Sequence, residues 1–317
     1  MFSYIPLINT FLPFLLTLVY AQDIKCPITF DGRIPKNATK ALFSSSKSPF
    51  NPKYVLGQNV TWDQVITFPD VPPSRFDRLV GGKAVEIKIN DSSVFASTSE
   101  GAETALRRAE LLVNNNNPTV SGIKNWHLSV RTSPERPLNY SHEYVLAWHE
   151  SQDFQADFWS LKTGTPMGSL ANDTYNSPVA NKSTKGNGRK ELYIQGYKWA
   201  NPVQTFFSTP FLEDTWHNFG IHLDYDNNLI QILYSTGDLP LQIVTPLSST
   251  NLSGIPPTTL GETHFGLQKR PFGANLTSFL YHGTQEVGIH EGIVYGGIWQ
   301  EDSKVTSCAN CTGCYTK

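Results

Sequence analysis

Residues 105–113 read "ALRRAELLV", and two incompatible secondary structures fit them. Within "GAETALRRAELLVNN", Ala102, Ala105, Leu106, Ala109, Leu112 and Val113 recur at the three-to-four spacing of an amphipathic helix. On a helix, Arg108 and Glu110 stand about 200° apart and face different ways, as charges on a solvated surface do. On a strand, Leu106, Arg108, Glu110 and Leu112 share one face, and Arg107, Ala109 and Leu111 share the other. The two charges then point the same way, out of a sheet. Local periodicity favours the helix, so only the rest of the chain can decide between them.

The rest of the chain reads as short strands. "AVEIKIN" (84–90) alternates, with Val85, Ile87 and Ile89 on one face. In "IKNWHLSVR", Trp126, Leu128 and Val130 oppose Asn125, His127 and Ser129. "NLIQILYS" follows the turn Asp226-Asn227-Asn228 and forms a hairpin with "GIHLDY". Turn signals recur in "FPDVPPS", "NNNNP", "STKGNG" and "SGIPP", and the polar stretch 171–188 reads as a long loop. Many short strands without an internal repeat or linker predict an all-β fold, a two-sheet β-sandwich or jelly roll, as a single domain.

Composition narrows the setting. Residues 1–21 are almost wholly apolar and end Val19-Tyr20-Ala21, which reads as a secretory signal peptide cut before Gln22. The mature chain, 22–317, is expected to be secreted and monomeric, with no membrane attachment after cleavage. Nine N-x-Ser/Thr sequons, at Asn37, Asn59, Asn90, Asn139, Asn172, Asn181, Asn251, Asn275 and Asn310, agree with that compartment. Of the four cysteines, Cys26 is expected to bridge to one of Cys308, Cys311 and Cys314, leaving the other two to pair locally. Zinc is disfavoured, since "CANCTGC" has no matching ligand pair nearby. Charged residues make up 16% of the chain, against about 25% in ordinary soluble domains. With a net charge of −2, nothing in the balance recommends nucleic acid as a partner. The 12% aromatic content suits an uncharged, ring-shaped ligand such as a sugar.

Six segments carry a resemblance: "CPITFDGRIP" (26–35), "FPDVPPSRFD" (68–77), "RRAELL" (107–112), "SHEYVLAWHE" (141–150), "WHNFGIHLDY" (216–225) and "EGIVYGGIWQEDS" (291–303). In this order they resemble glycoside hydrolase family 131, a fungal family of secreted β-glucan hydrolases with a β-jelly-roll fold. The resemblance implies that "LRRAELL" is a strand lining a concave groove, so that Arg108 and Glu110 point into it together. It also implies a β-glucan polysaccharide or oligosaccharide as substrate, with β-1,3, β-1,6 and β-1,4 linkages open to cleavage.

Glycoside hydrolysis usually needs two carboxyl groups across the scissile bond. Glu110 and Glu150 match the family's proposed catalytic glutamates. Arg108 is expected to keep Glu110 ionised, as base or nucleophile. Glu150, beside aromatics, is expected to be desolvated and to hold its proton as the acid. Trp148 offers a flat face to a sugar ring. The resemblance places a functional histidine at His217, whereas strand parity turns His217 toward the core and His222 outward. Both are carried as substrate-binding candidates, with His127. Glu143, His149, Glu291, Glu301 and Asp302 are further groove or framework groups. No cofactor and no metal are expected. Two other readings stay open: a jelly-roll polysaccharide lyase acting on a uronate polymer through His127, His217 and Tyr144, and a non-catalytic glucan-binding lectin.

Overall fold

The computed structural model describes residues 26–53, 57–58, 60–97, 101–154, 157–167, 190–200, 202–250, 260–273 and 277–303. The signal segment, the three C-terminal cysteines with their pairing, and the polar stretch 171–188 lie outside these residues.

Two antiparallel sheets face each other. The six-stranded sheet runs Thr205–Pro210, Glu191–Gln195, Asp157–Gly164, Glu143–Ser151, Leu260–Lys269, Arg107–Leu112. The nine-stranded sheet has the path Gln242–Ile243, Leu229–Thr236, His217–Asp224, Ile123–Thr132, His290–Asp302, Val85–Asn90, Ile66–Thr67. Ile28–Asp31 and Ser248–Ser249 complete it beside that path. Strand alternation sends one side chain in two to the shared interior. Trp126, Leu128, Phe219, Ile221 and Ile293 meet Ala109, Leu111, Leu146, Leu161, Phe265 and Leu267 in one continuous core. Trp126 and Phe265 touch across the gap, edge to face, with centroids 5.2 Å apart. The fold is an all-β sandwich of the jelly-roll kind. Among the described residues, no helix is long and apolar enough to cross a membrane.

The ambiguous segment is a strand, Arg107–Leu112. It pairs with Leu260–Lys269 from Arg107 opposite Lys269 to Leu112 opposite His264. Ala109 and Leu111 enter the core, so Arg108 and Glu110 project from the outer face of the six-stranded sheet. The helical spacing loses because its remaining members are buried by other means. Ala105 and Leu106 precede the strand and are covered, Val113 bridges to Phe50, and Leu112 is buried on the outer face itself.

Candidate active site

On the outer face of the six-stranded sheet, a cationic imidazole stands between two carboxylates. Arg108 grips Glu110 as a fork, Nε donating to Oε1 at 2.5 Å and Nη2 to Oε2 at 2.9 Å. Nη1 of Arg108 also donates to Glu103 at 3.1 Å. The next strand brings in His264, whose Nδ1 lies 2.9 Å from Oε2 of Glu110. Its Nε2 lies 2.8 Å from Oε1 of Glu150, which comes from the strand Glu143–Ser151. Glu262, two residues before His264 and on the same face, sits 3.8 Å from that Nε2. Trp148 lies flat against His264, with ring centroids 4.5 Å apart and planes 11° from parallel.

Charge sets the protonation states. Burial alone would lower the His264 pKa, but Glu150 and Glu110 outweigh it and push it up to about 10. His264 is therefore an imidazolium at neutral pH, hydrogen-bonded through Nδ1 to Glu110 and ion-paired through Nε2 with Glu150. Burial likewise opposes the ionisation of Glu110, yet Arg108 and His264 outweigh it and hold the carboxyl below its ordinary range. Glu150 behaves the same way: His264, with help from Arg108, overcomes burial and lowers its pKa. This differs from the expectation that aromatic neighbours would keep Glu150 protonated. The aromatic neighbour, Trp148, stacks on a cation, and the cation governs. Glu262 is the carboxyl that moves up, through burial first and then repulsion by Glu150 and Glu110, with His264 and Arg108 opposing.

Accessibility separates the two expected glutamates. The Glu110 side chain is fully covered, whereas those of Glu150 and Glu262 keep 15% and 29% of their surface exposed. Trp148 is only 4% exposed, its ring taken up by His264 and by Arg108, whose guanidinium lies 5.9 Å from the ring centroid. It is a cover for the charged cluster rather than an open sugar platform. Trp199 is the more open aromatic, 40% exposed, with the Lys198 ammonium 5.6 Å from its ring centroid. Lys198 also reaches Asp157 at 3.8 Å, and Asp157 pairs with Glu150 across the sheet.

The three expected histidines belong to the other sheet, and the structure does not bring them to Glu110 and Glu150. His217 points inward, its Nε2 accepting from the Leu212 N–H at 3.1 Å and its Nδ1 lying 2.7 Å from the Tyr234 hydroxyl. Burial pushes its pKa down to about 4, so it is neutral. His222 is on the outer face of the nine-stranded sheet, 2.7 Å from Oδ1 of Asn125. His127 is on that face too, stacked on Trp299 and 3.1 Å from Glu301. That face is the far side of the sandwich. Tyr144 is interior and donates to Glu291, which also holds the buried Lys269. Glu143 pairs with Arg270 at 2.6 Å, Asp302 with Lys124 at 3.0 Å, and His149 with Thr263 at 2.6 Å. These are framework contacts.

Sequence reasoning misses His264, Glu262 and Glu103. The signal lies in "LGETHFGLQK", where Thr263, Phe265 and Leu267 alternate with Glu262, His264 and Gly266. Gly266 faces Glu110 across the ladder, and a Cβ there would collide with the Ala109 carbonyl and come within 2.7 Å of Glu110 Cγ. The missing side chain lets the Glu110 strand close onto its neighbour. From beneath, the Tyr295 hydroxyl donates to the Gly266 carbonyl at 2.6 Å. Gly266→Ala is expected to cost about 1–3 kcal/mol, as overpacking does. It should also weaken catalysis by shifting Glu110, which thermal unfolding and steady-state kinetics on one preparation would read.

A family model described as the glycoside hydrolase 131 catalytic N-terminal domain matches residues 28–306. The crystal structure of a GH131 β-glucanase catalytic domain from Podospora anserina is similar at TM-score 0.59 and 17% identity, covering 87% of this chain and 96% of that one. The catalytic domain of the family 131 protein from Coprinopsis cinerea gives 0.57 and 17%, with 88% and 96% covered. No match is found among curated proteins. At such identities the solved structures speak for the fold, while the family match spans nearly all of the described chain. The chain belongs to glycoside hydrolase family 131 and is a glycoside hydrolase.

Proposed function

We propose that this enzyme is secreted and hydrolyses neutral β-glucan in the groove over the six-stranded sheet, at the cluster Glu110–His264–Glu150. The observation that carries the reading is the pair of carboxylates on opposite nitrogens of one buried imidazolium. Glu150, at the groove surface, reaches the glycosidic oxygen. Glu110, ionised and held by Arg108, is the partner carboxylate. It is sealed in the free enzyme, so substrate must loosen its cover for a water to meet it.

Charge also separates this reading from a lyase. Glu103, Glu110, Glu150 and Glu262 outnumber Arg108 and His264, and such a site repels a uronate polymer. A neutral glucan feels no such penalty, and Trp199 presents it a partly exposed ring.

The test is one panel of laminarin, pustulan, lichenan, cello-oligosaccharides and a glucuronan, reading reducing ends and ultraviolet absorbance together. New reducing ends from neutral glucans, without absorbance, are expected. Glu150→Gln should lower kcat by about 10²–10⁴ on glucans, the usual contribution of a positioned acid. Substrates with good leaving groups should recover part of that loss. Absorbance from the glucuronan would sink the hydrolase reading, and binding without either signal would leave a lectin.

A further inference from the structure

Glu150 is asked to deliver a proton, yet its neighbours hold it ionised, so the proton has to be kept by something else. Glu150 and Glu262 stand directly opposite each other across the ladder between Glu143–Ser151 and Leu260–Lys269. One oxygen of each, together with Nε2 of His264, lie within 4.8 Å of one another. Like charges directly opposite on paired strands repel, and two carboxyl groups sharing a site do not both ionise cheaply. One cation, His264, serves both, and it sits a full ångström closer to Glu150. Arg108 lies beyond it, already paired with Glu110 and Glu103. On the other flank Asp157 adds a further carboxylate, partnered by Lys198.

We propose that Glu150 and Glu262 form a carboxyl dyad sharing one proton in the free enzyme, and that this is the proton given to the leaving glycosidic oxygen. The proposal rests on the hydrolase reading and completes it. The upward displacement of Glu262 and the downward displacement of Glu150 agree with it, although the proton belongs to the pair rather than to either residue. In the step, the bond from the anomeric carbon to the glycosidic oxygen breaks and its electron pair goes to that oxygen, which takes the dyad's proton. Water bonds to the anomeric carbon and releases one proton to the carboxylate base. When product leaves, the base releases to solvent the proton it took, and the doubly ionised dyad, unstable beside itself, takes one up. One water is consumed, and nothing is oxidised or reduced.

Glu262→Gln tests this, because it keeps the shape and removes the proton's second home. The alkaline limb of the kcat/KM profile on a gluco-oligosaccharide is expected to move at least about one pH unit toward acid. Activity at neutral pH should fall about 10²-fold, and less on a nitrophenyl glycoside. A structural role alone would leave the limb in place. Independently of activity, the infrared band of a protonated carboxyl should be present in wild type at neutral pH and absent in Glu262→Gln. An unmoved limb, or a band that survives the substitution, overturns the dyad. So does loss of wild-type activity on chelation with recovery on adding a divalent metal, which would give the three groups to a cation instead. A wild type inert on every glucan but showing the band would fail the hydrolase reading and leave the shared proton standing.

Discussion

Glu110→Gln is expected to reduce kcat/KM on β-glucan by about 10³-fold or more and, in the same protein, to cost about 3–5 kcal/mol of stability. The second effect follows from what is left behind. The Arg108 side chain is 13% exposed; the amide keeps one acceptor oxygen, so Arg108 loses one arm of its fork and its nearest counterion, leaving Glu103 as its charged partner. His264 loses the carboxylate on Nδ1, one of the two anions that keep it charged. An orphaned buried guanidinium cannot neutralise itself, so the cost appears in folding. Glu110 has a folded pKa below its unfolded value, so its contribution is present above the ordinary carboxylate range and is lost as pH falls through the folded value. The stability gap between wild type and variant should therefore be widest at neutral pH and should narrow in acid. Adding Arg108→Met to the variant removes the orphaned charge and is expected to restore much of the stability while leaving activity lost. Urea unfolding at two pH values, with kinetics on each variant, would check both parts. If the double variant regained activity, Glu110 would be a structural counterion for Arg108 and nothing more.

Much of the architecture is legible in the sequence because it is written locally. Val85, Ile87 and Ile89, or Trp126, Leu128 and Val130, alternate in the sequence and are the residues that line the core. Parity alone places His217 inward and His222 outward, as the structure has them. "ALRRAELLV" is different. Its local period argues for a helix, and only the resemblance argues for a strand. The deciding contacts are with Leu260–Lys269, some 150 residues away, which no window of local sequence contains. The same distance hides the site. Glu110 and Glu150 draw attention by their motifs, but the group that joins them, His264, lies in a stretch with no motif. Without His264, Trp148 looks like a sugar platform and Glu150 like a carboxyl among aromatics. A single cation from a third strand reverses the expected shift of Glu150 and occupies the face of Trp148.

His264 should remain charged well into the alkaline range, and stability should record it. Its folded pKa, about 10, lies above the ordinary histidine value of about 6.5 in the unfolded chain. Between those two values the folded protein holds a proton that the unfolded chain has released. The stabilisation is therefore complete below about pH 6.5 and declines as pH rises toward 10. Wild type is expected to lose thermal stability steadily across that interval, by roughly 2–4 °C for each kcal/mol in a chain of this size. His264→Ala should behave differently. It removes the cation between Glu110 and Glu150, leaving Glu110 with Arg108 and leaving Glu150 beside Glu262 with no positive neighbour in contact. Those carboxyls then hold protons more tightly than in the unfolded chain, so the variant gains stability toward acid and shows no comparable decline between pH 7 and 10. Activity on glucans should fall by about 10³-fold or more, since both glutamates lose the group that places them. Thermal unfolding from pH 5 to 10, with nitrogen-15 shifts of the imidazole, reads the two claims together. A wild-type curve flat from pH 7 to 10, with imidazole shifts of the neutral form, would mean the ring carries no charge. The two glutamates would then have to share a proton between themselves across it.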